Sequence, residues 1–377
     1  MNYSGRIEVL RKHMQEDGVT GIFLPLDASS EYFTSVPRPD SSNTPHRQNS
    51  AEYGCLLITA NEVFYMNSRL SGQRLYNQSE RFPLVTEFIL FPDKDLTGET
   101  FVETCRKLGL QGKPLAYIQD IRSTLVLRLQ KELAVSWQNY DEVVQGIRAV
   151  KDADELLLMQ KVAEINDRVY DAVLIQLHVG VTLTEIAGEI ERLGKVFGAE
   201  CTSFNTGLYH REPSMDMGSE NYPVLRRGCI LAYDYGFVYK GYCSDFGRTI
   251  FIGEPDAEVI KAYKLIMLSQ QTGIEAMKSG QISGAALNKL ARQVILDGGY
   301  DREFGHRLGH GIGKDVHERP FLAEGEERIL QTGMCFTVEP SLRLQHKGTL
   351  RVEDVITVTP DGGKNFNSTT RGIVVID

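Results

Sequence analysis

Three of the chain's eight histidines, His306, His310 and His317, fall within one glycine-rich stretch, FGHRLGHGIGKDVHERP, at residues 304–320. Acids stand in two other places. CILAYDYGFVYKGYCSDFGRTIFIG (229–253) holds Asp234 and Asp245, and MCFTVEPSLRLQHKGTLRVEDVITVT (334–359) holds Glu339 and Glu353, each pair inside an otherwise apolar hairpin pattern. With turns near Tyr239-Lys240 and near His346, Asp234 is expected across from Asp245 and Glu339 across from Glu353. Directly opposed side chains have Cβ atoms about 4.5 to 5.5 Å apart, where like charges destabilise unless something neutralises them. Any one of these acids taken alone reads as an ion-pair partner of Arg248, Arg343 or Arg351, or as part of a solvated face. All four, at matching places in a repeated unit, read as a cation site. Two divalent ions balance four carboxylates, and a bridging hydroxide with one neutral imidazole completes the set. The histidine stretch supplies the imidazole.

The elements that must position these residues are duplicated. YDAVLIQLHVGVTLTEIAGEIERLGKVFGAE (170–200) and QTGIEAMKSGQISGAALNKLARQVILDGGYD (271–301) align with Gly180 on Gly280 and Gly198 on Gly298. In each, a helix ending at a glycine suited to a C-cap is followed by a link and a second amphipathic helix that ends at another glycine. Each half then runs into one of the two acid-bearing hairpins. Two helices and a hairpin, repeated, predict pseudo-twofold packing with the helices over one face of a shared antiparallel sheet, an α+β arrangement.

Before that unit the pattern is α/β, with short apolar runs such as GIFLPL (21–26), YGCLLIT (53–59) and EFILFP (87–92) alternating with helical segments. DASSEYFTSVPRPDSSNTPHRQNSAEYG, residues 27–54, reads as a long surface loop. The character changes at GIRAVKDADELLLMQ, so two domains are expected, 1–150 and 151–377. A net charge of -9 argues against a nucleic-acid surface. Six scattered cysteines without close pairs, no signal-peptide core and no long apolar run describe a cytoplasmic chain that meets no membrane. The partner left is a small solute or a peptide.

Taken together, DYG at Asp234, YCSDFGRT around Asp245, GHGIG with His310, VEP with Glu339 and RVED with Glu353 resemble the creatinase, prolidase and methionine aminopeptidase superfamily, peptidase family M24. RAVKDADELLLMQKVAEI is similar to the usual start of that family's pita-bread catalytic domain, and residues 1–150 resemble the creatinase-type N-terminal domain of Xaa-Pro aminopeptidases and prolidases. The resemblance implies that Asp234 chelates one metal, that His310 and Glu339 bind the other, and that Asp245 and Glu353 bridge the two. It implies that Glu339 shuttles a proton, that His317 contacts the scissile carbonyl or the tetrahedral intermediate, and that His306 faces the substrate. Arg351 and His210 are further candidates for substrate contact. The hard ligand set suits Mn²⁺, while Co²⁺, Fe²⁺ and Zn²⁺ also fit. The implied reaction is hydrolysis of an Xaa-Pro bond, as an aminopeptidase or a dipeptidase, by a homodimer whose 27–54 loop lies near the pocket. Two alternatives keep the fold: a small non-peptide substrate, as in creatinase, ectoine hydrolase or a sulfoniopropionate lyase, and a non-catalytic peptide-binding module. The sequence departs from the family where a histidine usually precedes the first aspartate, since Met217 or Gly218 stands there; His210 substitutes only if the intervening loop is re-routed. Gly247 and Ser341 also replace the more common small hydroxyl and glycine.

Overall fold

The computed structural model describes residues 1–38, 54–92, 95, 98–119, 121–211 and 224–377, leaving aside the side chains of His210 and Arg211. Met217 and Gly218, and most of the 27–54 segment, lie outside the described residues. The chain divides into two compact units, Met1–Arg148 and Ala149–Asp377.

The first unit is a mixed sheet of strands β1 (Gly21–Pro25), β2 (Cys55–Thr59), β3 (Val63–Ser68), β4 (Glu87–Phe91), β5 (Pro114–Tyr117) and β6 (Ser136–Asn139), in the order β4-β3-β2-β1-β5-β6. Its helices are α1 (Tyr3–Glu16), α2 (Ala28–Thr34), α3 (Arg69–Tyr76), α4 (Glu99–Lys107), α5 (Ser123–Leu133) and α6 (Asp141–Ala149). The continuous apolar run of β1 follows from burial on both faces: Ile22 and Leu24 join one core, Phe23 the other. The start of the expected surface loop is instead helix α2. Asp27 caps it by accepting from Ser29 N at 2.7 Å, and Tyr32 and Phe33 anchor it in the core.

In the second unit, α7 (Ala153–Leu174) packs with α8 (Leu183–Val196), and α9 (Ala257–Ala276) packs with α10 (Gly284–Asp297). The repeat extends to single hydrogen bonds. Gly180 N donates to Leu225 O and Gly280 N to Leu330 O, both at 2.8 Å, while Thr182 and Ser283 cap the helices that follow. These glycines do not end α7 and α9. The helices stop earlier, and Gly180 and Gly280 take left-handed conformations (φ 98° and 75°) in the links. After α8 the left-handed glycine is Gly198 (φ 105°), but after α10 it is Gly299 (φ 90°), because Gly298 stays right-handed as the C-cap.

The first half's strands are β7 (Cys201–Thr202), β8 (Gly207–Arg211), β9 (Ile230–Tyr235), β10 (Phe237–Tyr239), β11 (Tyr242–Cys243) and β12 (Phe246–Ile252). The second half contributes β13 (Gly309–Gly311), β14 (Glu318–Leu322), β15 (Cys335–Val338), β16 (Ser341–Leu344), β17 (Gly348–Arg351), β18 (Asp354–Val358), β19 (Gly363–Asn365) and β20 (Val374–Ile376). The principal sheets run β20-β12-β9-β8 and β14-β13-β15-β18-β19, antiparallel throughout except where β20 returns parallel to β12. A reciprocal pair joins the two acid-bearing hairpins, Gly247 N to Glu353 O at 3.3 Å and Glu353 N to Gly247 O at 2.9 Å. Arg248 locks this seam. Its buried guanidinium donates to Asp354 Oδ1 (2.6 Å), Glu353 O (2.7 Å), Gly247 O (2.8 Å), Thr370 O (2.9 Å) and Thr369 O (3.1 Å).

Candidate metal centre

The first hairpin reverses at Lys240 and Gly241, both left-handed (φ 49° and 74°), as a two-residue primed turn requires. That is one residue later than the sequence suggests, so cross-strand partners shift by two. Asp234 pairs with Gly247 rather than Asp245, and the two aspartates lie one diagonal step apart on the same face. In the second hairpin, Val338 pairs with Asp354 and Ser341 with Arg351 in a single register that sets Glu339 opposite Glu353. His346 takes φ 62° in its turn.

Strand β13 holds His310 between two glycines for steric reasons. A Cβ on Gly309 would overlap the Thr337 carbonyl, and one on Gly311 would come within 2.6 Å of the Glu318 carbonyl. Only the residue between them has room for a side chain. His310 Nδ1 lies 3.0 Å from Gly311 O, and because a carbonyl only accepts, Nδ1 carries the proton. Its Nε2 lone pair is turned toward Glu339 Oε1 at 3.4 Å and Asp245 Oδ2 at 3.5 Å. Ligand atoms of Asp245, His310 and Glu353 all lie within 4.8 Å of one another. Thr337 ties strand to cluster: its hydroxyl accepts from His310 N at 3.0 Å and donates to Glu339 Oε1 at 3.3 Å.

The charges in this cluster are not balanced by hydrogen bonds. Asp245 Oδ1 and Glu353 Oε2 are buried and have no hydrogen-bond partner among the described residues. Burial, then the charge of Asp234, pushes the Asp245 carboxyl well above the usual range; burial, then Asp245, does the same to Glu353. Glu339 rises to about 7, chiefly through burial, with the Asp245 charge adding to it. Burial lowers His310, which keeps it in the neutral form that ligates metals. Arg351 is the one cation bonded to a carboxylate of the cluster among the described residues. It donates through Nη1 to Asp234 Oδ2 and through Nε to Ser341 Oγ at 2.9 Å, and it stands 3.6 Å from Glu353 Oε2. It lines the cavity, but with its guanidinium committed to Asp234. Orphaned carboxylate oxygens, a presented imidazole lone pair and an oxygen-rich donor set fit hard divalent cations.

A cavity of about 790 Å³ opens over the cluster, lined by all four carboxylate residues, His310, His306 and His317, and also by Phe204, Arg307 and Arg343. Phe204 and Arg307 escaped the sequence reading, although Arg307 stands between two of its histidines, and Arg343 entered it only as an ion-pair partner for the acids. His306 Nδ1 donates to Arg307 O at 2.6 Å, so the neutral ring presents Nε2 as an acceptor; that atom is buried and has no hydrogen-bond partner among the described residues. Burial lowers its pKa, which disfavours the doubly protonated form it would need to donate to an oxyanion. The His317 ring stands edge-on to His310 with centroids 4.2 Å apart, and burial, then the His310 and Arg307 charges, lowers it to about 4. His210 is on β8, its backbone paired with Leu231, and its side chain lies outside the described residues.

Carboxylates on two joined hairpins of a duplicated helical unit, with one imidazole brought beside them on β13, define a metal-dependent hydrolase. Residues 6–150 match the creatinase/prolidase N-terminal domain, and residues 157–360 match metallopeptidase family M24. The chain belongs to metallopeptidase family M24, and its second unit has that family's pita-bread fold. The Xaa-Pro dipeptidase of Pyrococcus horikoshii is 30% identical over 327 residues, covering 85% of this chain and 88% of that protein. The Xaa-Pro dipeptidase of Pyrococcus furiosus is 28% identical, covering 98% and 99% of the two chains. Among solved structures, recombinant prolidase from Thermococcus sibiricus superposes with a TM-score of 0.88 at 27% identity, covering all of both chains.

Proposed function

We propose that the chain hydrolyses the Xaa-Pro bond of short peptides at a dinuclear centre. Asp234 would hold one ion, His310 and Glu339 the other, with Asp245 and Glu353 shared between them. The observation that carries this reading is the meeting of these five residues in one cavity with buried carboxylate oxygens that no hydrogen bond satisfies. When bound, two divalent ions would lower the pKa of a water toward neutrality and polarise an amide carbonyl. Glu339 takes the proton of the attacking water and passes it to the leaving nitrogen. His317, neutral at working pH, donates to the developing oxyanion. His306 accepts at Nε2 from a substrate N–H. Arg351 holds Asp234 in place through its Nη1 hydrogen bond.

The hard donors favour Mn²⁺. Family resemblance supports a homodimer of a 1–150 domain and a 151–377 catalytic domain working in the cytoplasm. No described helix is long and apolar enough to cross a membrane. The test is to assay metal-reconstituted protein on an Xaa-Pro dipeptide, an Xaa-Pro-Yaa tripeptide and a non-prolyl control. Stoichiometric metal with no cleavage of either prolyl peptide defeats the reading. Glu339→Gln should abolish turnover, and retained activity would overturn the role given to Glu339.

A further inference from the structure

Four buried charged side chains of the second unit, Lys151, Glu155, Lys314 and Glu318, line no part of the cavity. Two of them meet at Tyr242, whose hydroxyl donates to Glu155 Oε1 at 2.8 Å and whose ring centroid lies 4.7 Å from Lys314 Nζ. The other two form an ion pair: Lys151 Nζ donates to Glu318 Oε2 at 3.0 Å, with the side chains 2% and 1% exposed. Burying two charges costs about as much as their attraction returns, so what such a pair secures is the placing of the segments that carry it. The segment here is the loop between His310 and His317. Glu318 opens β14 and is buried, while His317, the residue before it, lines the cavity. Glu318 Oε1 accepts from Asp315 N at 3.1 Å, Asp315 O from Gly313 N at 3.1 Å, and Gly313 O from Cys243 N at 2.7 Å. These bonds run from Lys151, ahead of α7, through the loop to β11, just before Asp245. There is no slack at the pair: a Cβ on Gly313 would come within 2.8 Å of Glu318 Oε2 and 2.9 Å of Lys151 Cε.

We propose that the buried pair of Lys151 and Glu318 is a positioning device for His317, setting the loop so that the imidazole meets the developing oxyanion. The inference rests on the Xaa-Pro hydrolase reading and on the oxyanion role given there to His317. Neither member of the pair lines the cavity, so neither binds substrate itself. Their effect passes through the loop backbone, which Glu318 grips at its own Cα and at Asp315 N, and His317 lies between these two points. The edge-on contact with His310, 4.2 Å between ring centroids, gives the imidazole a further point of reference. Displacing a catalytic group by about 1 Å can cost about 10²-fold in rate. The oxyanion exists only in the transition state, so misplacing its donor falls on kcat and leaves KM almost alone.

The experiment measures kcat and KM for Ala-Pro with the metal-loaded full chain, in wild-type and His317→Ala backgrounds, each with and without the paired change Lys151→Met/Glu318→Leu. Replacing both charges by apolar groups of similar volume avoids leaving one of them buried and unpaired. In the wild type the paired change should lower kcat by about 10- to 100-fold, with KM and metal content within about twofold. In the His317→Ala background the same change should cost less than about twofold, because the group it positions is gone. The milder Lys151→Met/Glu318→Gln keeps an acceptor for Asp315 N and should lower kcat by only a few-fold; it is read by the same criterion if the apolar pair does not fold. An equal loss in both backgrounds, no loss in the wild type, or loss of bound metal overturns the proposal. If the wild type cleaves no prolyl peptide, the hydrolase reading has failed, and histidine NMR of the metal-free chain decides the positioning alone. A His317 resonance, identified by its absence in His317→Ala, that shifts or broadens in the paired variant supports it; one that stays in place refutes it.

Discussion

Metal loading should displace protons from this protein, and the amount follows from Glu339. With its carboxyl pushed to about 7, Glu339 is half protonated at neutral pH, and each ion that binds there must expel what remains. From Glu339 alone, the ionised fraction falls from about one half at pH 7 to about one hundredth at pH 5, an apparent loss of metal affinity of roughly 50-fold. Asp245 and Glu353, raised by burial and by neighbouring carboxylate charge, steepen that slope, while burial lowers His310 and so weakens its part in it. The metal-stripped protein should behave in the opposite sense. A carboxyl whose folded pKa lies above its ordinary value of 4.5 gives stability that is fully present below 4.5 and is lost as pH rises through about 7. For Glu339 that loss is about 3 kcal/mol at most. Stripped protein should therefore melt at a higher temperature at pH 5 than at pH 7.5, and the same concentration of Mn²⁺ should raise the melting temperature more at pH 7.5 than at pH 5. Calorimetric titration with Mn²⁺ in buffers of different ionisation enthalpy counts the protons released. Buffer-independent enthalpies, together with an affinity that is flat between pH 5 and 7, would refute the crowding of carboxylates on which the site is argued.

Two further outcomes are expected. His317→Ala should lower kcat/KM by about 10²- to 10³-fold, the loss typical of one oxyanion donor, with metal content unchanged by elemental analysis. A loss below about threefold would remove His317 from the reaction. Arg248→Met leaves Asp354 buried without its 2.6 Å partner, so denaturant unfolding should show a destabilisation of about 3 to 5 kcal/mol, the range for breaking a buried pair; a change under about 1 kcal/mol would mean the seam does not depend on Arg248.

The site was legible in the sequence because carboxylates inside apolar strands break a strong local pattern. Alternation has a period of two, so a turn misplaced by one residue moves the cross-strand partner by two and leaves every side chain on its own face. That is what happened in the first hairpin: the partner of Asp234 changed from Asp245 to Gly247, yet both aspartates still face the cavity. Helix α2 was hidden for the opposite reason. Its seven residues, Ala28–Thr34, sit at the head of a polar, proline-containing stretch, and only the Asp27 cap and the aromatic pair Tyr32-Phe33 mark it. Gly298 and Gly299 are adjacent glycines, and which of them turns left-handed depends on where α10 runs out of hydrogen bonds.

Contacts between the two hairpins were not legible, because residues a hundred positions apart carry no shared local pattern. Read singly, Gly247 and Ser341 are two minor departures from the family. In the fold both touch Arg351. A Cβ on Gly247 would come within 2.7 Å of Arg351 Cδ and 2.9 Å of Glu353 Oε2, so the glycine makes room for the arginine, and Ser341 Oγ supplies the acceptor that aims it. The arginine thus aimed meets Asp234, the acid that Gly247 faces across the ladder. The two departures are therefore one arrangement, in which the space given up on β12 and the hydroxyl placed on β16 hold the guanidinium against the first carboxylate of the site.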